Sequence, residues 1–403
     1  MNTPVAQHPF KKGFIAAFTI TFDMLPFTDK EMELYDQKLT QFEQFFLNPD
    51  IEKHLISKNE LLTSFAISKA ELSSLTYKEA QDVYGLVLTN PDYDFVAEKL
   101  KKAKKLTSKD YDKLEFFNIA KTFRFLNQNP FSVEDLNPQL IKDLHRKLTQ
   151  GLDIFKDHLT EFTVYKSGSW RDNDEIRVGN YAPAPYKEIE VGVKELINWL
   201  KNNRNITGLA VFHTALYGLH PFNNGNKRVC RITEHILLRQ LGMNQKNLYS
   251  TSYYFHKEKP RYYKYLLYSL ERKNLNHFVS FIQEAIMFSM ISVIKTSLEA
   301  KRDEYLKKQT TDLTVINITK PLIKRKELQF KHLFKPAAKK MARQTFVTYL
   351  QKAVDNQIII KRKMGRSTFY SLNLEIPEEK TISEWLAFFK KKLGYIPDEF
   401  SLV

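Results

Sequence analysis

His220-Pro221-Phe222-Asn223-Asn224-Gly225-Asn226-Lys227-Arg228-Val229-Cys230-Arg231 is the stretch on which the reading of this 403-residue chain turns. An apolar-patterned segment, 209–219, runs into the histidine, and a polar loop holding Gly225 follows. A helix then begins whose Ile232, Ile236, Leu237 and Leu241 share one face, with Gly242 placed to cap its end. A glycine-containing loop entering a helix offers free backbone N–H groups and the positive end of the dipole, which suits phosphate oxygens. Arg228 and Arg231, three residues apart, project from one side of the first turn, and two guanidiniums there hold a polyphosphate in a fixed fork. A histidine just upstream can take a proton from an attacking hydroxyl near neutral pH. The composite is a general base plus an anion cradle, the minimum set for attack on a nucleotide phosphate.

This segment resembles the signature of the Fic family, His-x-Phe-x-(Asp/Glu)-Gly-Asn-(Gly/Lys)-Arg-x-x-Arg. The resemblance covers about residues 60–290. It implies a mainly α fold, a Fic-type helical bundle with a small β-hairpin flap, and transfer of AMP from ATP, with Mg²⁺, to Ser, Thr or Tyr hydroxyls of a target protein. By that resemblance His220 is the base and Phe222 anchors the loop in the core. Gly225, Asn226 and Lys227 line the phosphate cradle, Arg228 holds phosphates, and Arg231 reaches the γ-phosphate. Asn224 stands where the family has its metal-holding acid; an amide oxygen can ligate Mg²⁺ but brings no charge, and Asn224 reads equally as a turn former. Lys227 occupies a position at which a lysine also occurs in the family's phosphotransferase toxins, which makes phosphoryl transfer the alternative chemistry. A third alternative is a DNA-binding regulator with a weak or inactive Fic core.

Upstream, Gly168-Ser169-Trp170-Arg171 and Val178-Gly179-Asn180-Tyr181-Ala182-Pro183 resemble the family's flap and the proline segment after it. The β-favouring runs 163–165 and 176–178 predict a hairpin, with Arg171 and Val178 docking the target by strand addition. Many family members carry an inhibitory Ser/Thr-x-x-x-Glu-(Gly/Asn) helix. Within about 60–80, Glu71 aligns with its glutamate and Ser68 is a weaker match, whereas Ile67 and Leu72 depart. A carboxylate opposite Arg231 would make a charge-assisted pair and compete with ATP.

The rest of the chain divides into four parts: a helical region over 1–109, a core over 110–297, a block over 305–375 and a tail over 376–403. In the third, two helical segments precede Ile358-Ile359-Ile360 and Thr368-Phe369-Tyr370, with Gly365 between them and Lys361, Arg362, Lys363 and Arg366 at the tip. That order predicts a winged helix-turn-helix. Residues 301–375 hold 18 Lys/Arg against 6 Asp/Glu, a surplus of 12 in the net charge of +16, which points to an acidic partner for this block, DNA first, with a module that presents the target protein as the alternative. One cysteine, Cys230, forms no intramolecular disulfide and leaves thiolate metal sites without ligands. Residues 1–10 lack the pattern of a signal peptide, and the sequence is read as having no apolar run of membrane-spanning length, so a cytoplasmic protein with no membrane partner is expected. Assembly as a homodimer is left open.

Overall fold

The computed structural model describes residues 4–46, 48–102 and 105–400. Residues 1–3, 47, 103–104 and 401–403, which belong to the expected N-terminal region and tail, lie outside the described residues. The chain forms two compact units, one of residues 1–37 and 53–289, the other of 38–52 and 290–403. Most of the segment read as an N-terminal region, 1–109, therefore shares one unit with the core.

In chain order the helices begin with α1 (Asp29–Phe46), α2 (Pro49–Ala70), α3 (Tyr77–Thr89), α4 (Phe95–Lys102), α5 (Ser108–Gln128) and α6 (Pro138–Thr149). They continue with α7 (Ile189–Asn202), α8 (Ile206–Leu219), α9 (Asn226–Gln240), α10 (Thr251–Lys257), α11 (Lys259–Glu271) and α12 (Asn276–Gln309). The centre of the first unit is α8, all 14 of whose residues are buried. Its sequence is apolar on every side, as a helix enclosed by others has to be. Asn205 starts it, accepting the Gly208 N–H at 2.6 Å. Packed on α8 are α7, through the buried stripe Ile189, Val193, Leu196, Ile197 and Leu200, and α9, through Ile232 and Ile236. Each such aliphatic side chain contributes about 1.5–3 kcal/mol by leaving water. Gly242, in the left-handed region at φ 93°, closes α9 as its N–H meets the Arg239 carbonyl.

Three expectations are corrected here. The span 60–80 is not one helix: α2 stops at Ala70, and α3 starts at Tyr77 behind a capping box made by Thr76 and Glu79. Runs 163–165 and 176–178 do not pair; the segment is irregular, and the isolated bridge near it joins Val178 to Tyr181. Side chains, Arg171 above all, take over the backbone satisfaction that a strand partner would have given. Helix α12 is long and apolar enough to cross a bilayer by length and composition, contrary to the expectation that no such run exists. Its most apolar window is 83% buried in protein, which is what an enclosed helix also requires.

The second unit adds α13 (Leu313–Thr319), α14 (Pro321–Lys324), β1 (Glu327–Gln329), α15 (Phe330–Ala337), α16 (Arg343–Asp355), β2 (Ile359–Met364), β3 (Ser367–Leu372) and α17 (Glu378–Leu393). Its sheet is antiparallel in the order β1-β3-β2, with Ile359 opposite Leu372 and Met364 opposite Ser367. Phe346 and Leu350 of α16 join Ile359, Tyr370, Leu372 and Leu333 in its core. The segment read as a tail holds α17, whose Trp385 and Phe389 are buried.

Candidate active site

Gly225 is the N-cap of α9 at φ 84°, and no side chain caps this end. A Cβ there would come within 3.3 Å of the His145 ring, so both conformation and space select glycine. Asn226 folds the loop: its Oδ1 accepts the Phe222 N–H at 3.0 Å and its Nδ2 donates to the Phe222 carbonyl at 2.8 Å. Asn224 bends back too, its Oδ1 accepting the Gly225 N–H at 2.7 Å. Both amides therefore build the turn: Asn224 takes the turn-former role that was one of its two expectations, and the Asn226 side chain holds the loop that lines the cradle. Phe222 is fully buried and stacks on His145 with ring centroids 3.8 Å apart. His145 accepts the Gly168 N–H on Nδ1 and donates from Nε2 to the Asn224 carbonyl, each at 3.0 Å. Burial, with help from Arg228, pushes His145 down to about 3, so it stays neutral.

His220 ends α8 in the left-handed region, φ 51° and ψ 59°. Burial first, then the charges of Arg171 and Lys227, lower it to about 3, leaving the imidazole neutral at physiological pH. Its Nδ1 is buried and has no hydrogen-bond partner. Arg171, expected on a docking flap, is buried against this loop. It donates from Nε to the His220 carbonyl at 2.8 Å and from its guanidinium to the Ala184 and Asn173 carbonyls, while its own N–H meets the Pro221 carbonyl at 2.9 Å. Arg171 is thus a clamp on the loop that carries the base.

The cations face the end of α2. The Ser73 N–H reaches the Ser68 carbonyl and the Leu72 N–H the Lys69 carbonyl, with Leu72 left-handed at φ 66°. These two hydrogen bonds close the helix and leave Glu71 directly after its last residue, Ala70. A carboxylate at a helix C-terminus is unfavourable for the dipole, and here cations from α9 compensate it. Lys227 Nζ lies 3.4 Å from Glu71 Oε2 and donates to the Ala70 carbonyl at 3.0 Å. Arg228 Nε lies 3.9 Å from Glu71 Oε1. Burial alone would raise Glu71, but Lys227, Arg228 and Arg231 together hold it below the usual carboxylate range. Glu71 therefore faces Lys227 and the first arginine rather than pairing with Arg231 as expected. Arg231, 2% exposed, stacks over Tyr262 at 4.5 Å and donates weakly to the Ala66 carbonyl at 3.3 Å, and its Nε is unpartnered.

Sequence reading missed a second carboxylate. Glu115 of α5 is fully buried; its Oε1 lies 3.1 Å from Arg228 Nη1, off the line of a hydrogen bond, and its Oε2 accepts the Ser68 hydroxyl at 3.3 Å. Tyr111 donates to Glu115, and Tyr165 accepts from Arg228 Nη2 at 3.1 Å. Burial raises Glu115 to about 7 against the pull of Arg228, with Glu71 and Asp112 adding to the rise. One helical turn earlier, Asp112 accepts the Ser74 N–H at 2.8 Å, so α5 seats the turn that carries Glu71. The signal for Glu115 was faint: one acid among Leu114, Phe116 and Phe117 on a buried face, easily taken for a solvated position. A separate cleft of about 590 Å³, bordered by Asp92, Phe95, Phe117, Lys121 and Phe125, includes none of the motif residues.

The arrangement supplies a neutral imidazole, a capless helix N-terminus and three cations, with a carboxylate-bearing turn lying on them. The Fic/DOC family model matches residues 135–238, which contain α6 to α9 and the motif loop. A probable protein adenylyltransferase of Aquifex aeolicus is 25% identical over 136 residues, 32% of this chain and 39% of that protein. Protein adenylyltransferase fic-1 of Caenorhabditis elegans is 23% identical over 135 residues, 32% of this chain and 24% of that protein. The chain thus spans well under half the length of either relative. A solved Fic family protein from Desulfovibrio desulfuricans superposes with a TM-score of 0.49 at 18% identity, over 86% of this chain and 98% of the other. Residues 135–238 of this chain are a Fic/DOC-family domain.

Proposed function

We propose that the chain transfers AMP from ATP to a hydroxyl side chain of a target protein, and that the Glu71 turn holds it in an off state. The carrying observation is the neutral His220, whose Nδ1 has no hydrogen-bond partner, beside Lys227 of α9. The target oxygen attacks the α-phosphorus as its bond to the pyrophosphate oxygen breaks. His220 receives the hydroxyl proton, and the P–O bond electrons leave on pyrophosphate. Buried donors without full partners, Arg228 Nε and Arg231 Nε, together with the free N–H groups after Gly225, fit the phosphates of ATP. Mg²⁺ is a different matter: the oxygen of Asn224 is already an acceptor for Gly225, and no step is assigned to a metal held by this side chain.

With Glu71 between Lys227 and Arg228, polyphosphate and carboxylate compete for the same charge. The test is intact-mass spectrometry after incubating wild type, Glu71→Gly and His220→Ala with Mg·ATP and cell extract. An adenylyl mass on chain or target, greater in Glu71→Gly and absent in a folded His220→Ala, supports the reading. A phosphoryl mass instead would transfer the assignment to a phosphotransferase, and undiminished labelling by His220→Ala would refute the role of the base.

A further inference from the structure

The second unit carries an exposed cationic face that the transfer chemistry does not use. Its acids are largely spent elsewhere: Glu327 forks onto Arg362 at 2.7 and 3.0 Å, Asp312 takes Lys352 at 2.9 Å, and Asp303 and Glu304 take Lys307 and Lys308. Left over are Lys339, Lys340, Arg343, Lys361, Lys363 and Arg366, all exposed and, among the described residues, with no carboxylate at ion-pair distance. Alternation along β2 puts Lys361 and Lys363 on the same sheet face as Ile359, the face on which Phe346 and Leu350 of α16 pack. Beyond Ile359 every residue of β2 is exposed, so this hairpin extends past anything the core needs. Its two-residue turn, Gly365-Arg366, adds a guanidinium at the tip.

The occupant follows from what lies between the cations. Along the first half of α16 the exposed side chains include Gln344, Thr345 and Thr348, neutral hydrogen-bonding groups; the helix's one acid, Asp355, lies at its far end and accepts from Gln351 at 2.8 Å. Ala342, its N-cap, gives no side-chain cap, which leaves first-turn N–H groups beside Arg343 for an anion. A protein interface of this kind is disfavoured, because lysine is depleted where side chains must desolvate. Single strands are disfavoured as well: among the described residues the rings near these cations, Phe330 under Arg343 and Phe369 on the hairpin, are only partly exposed, and no row of open rings offers bases a stacking platform. The B-form major groove admits an α-helix, whereas the A-form major groove of duplex RNA is too narrow. We infer that this face of the second unit binds double-stranded DNA, chiefly through phosphate contacts from the hairpin arm and the start of α16.

The inference is independent of AMP transfer and is tested on the full chain. Fluorescence anisotropy with a mixed-sequence DNA duplex, at salt from about 50 to 200 mM, reads the number of phosphates neutralised; six contacts give a log–log slope of about −5. The triple variant Lys361→Ala, Lys363→Ala, Arg366→Ala should lower the magnitude of that slope by about 2.7, with melting unchanged because all three side chains are exposed. Removing equal charge from α4, by Lys99→Ala, Lys101→Ala and Lys102→Ala, should leave the slope as it was. No binding at the lowest salt, an unchanged slope in the hairpin variant, or equal affinity for duplex RNA or polyglutamate would each overturn the assignment.

Discussion

Replacing Glu71 with glutamine keeps the side chain's shape and removes its charge from a site where it is only 10% exposed. Among the described residues the one carboxylate then left at ion-pair distance from these cations is Glu115, beside Arg228, and its own burial keeps it partly protonated near neutral pH. Breaking a buried ion pair by removing one partner costs about 3–5 kcal/mol, since the other charges stay buried without compensation. Lys227 keeps its bond to the Ala70 carbonyl and Arg228 keeps Glu115, which places this case at the low end, about 3 kcal/mol. At about 2 °C per kcal/mol for a unit of this size, the melting temperature falls by about 6 °C. The same charge imbalance makes the variant an anion site. ATP at about 100 times its dissociation constant returns about 2.7 kcal/mol, nearly the whole loss, whereas wild type, with the turn in place, gains much less. Scanning fluorimetry of both proteins with and without ATP reads the two effects together. A variant that melts with wild type, or whose gain from ATP equals that of wild type, would show that Glu71 does not neutralise these cations.

Two further outcomes follow from the same region. Glu115, raised to about 7 when folded, holds a proton that the unfolded chain has lost above about 4.5, so its contribution to stability is full below that value and disappears as pH rises through about 7. Glu115→Gln should therefore flatten the fall in stability between pH 5 and 7 by up to about 1.4 kcal/mol per pH unit, read from denaturant titrations. Leu72→Gly should raise stability by up to about 1 kcal/mol, because glycine adopts the left-handed conformation that leucine holds here at φ 66°, even after the larger entropy of the unfolded glycine chain. A thermal melt in which Leu72→Gly is clearly less stable would place the cost elsewhere.

How much of this was legible in the sequence depends on whether function was carried by local order or by distance. The motif loop was readable because its parts are consecutive: a helix end, a glycine in the left-handed region and a second helix start all fall within 220–231. The helical stripe of α7 and the basic hairpin tip were readable for the same reason. Asn224 was legible only as a choice between turn former and metal ligand, and the inward hydrogen bonds of Asn226 not at all, since an amide's partner depends on how the loop closes. Glu115 and His145 meet the motif only through folding, across separations that no local pattern encodes. Arg171 was placed on a flap because the runs on either side of its polar stretch, 163–165 and 176–178, favour strands, whereas its buried guanidinium bonds carbonyls from three other positions.

The Leu72 turn has a consequence for control. Where the resembling inhibitory helix has Gly or Asn, this chain keeps a leucine, 78% exposed and so without the burial that would justify it. Its backbone cost, about 1–2 kcal/mol, is borne only while the turn is docked and is relieved when the turn opens. On the proposed reading, in which that turn holds the site off, residue 72 would act as a threshold setting. It offsets part of the grip of Lys227 and, net of glycine's greater freedom in the open state, raises the open population by up to about fivefold over what glycine would allow. A partner protein or a rise in ATP would then need less differential binding energy to switch the site on, and substitution at one exposed position could retune the gain without touching the chemistry.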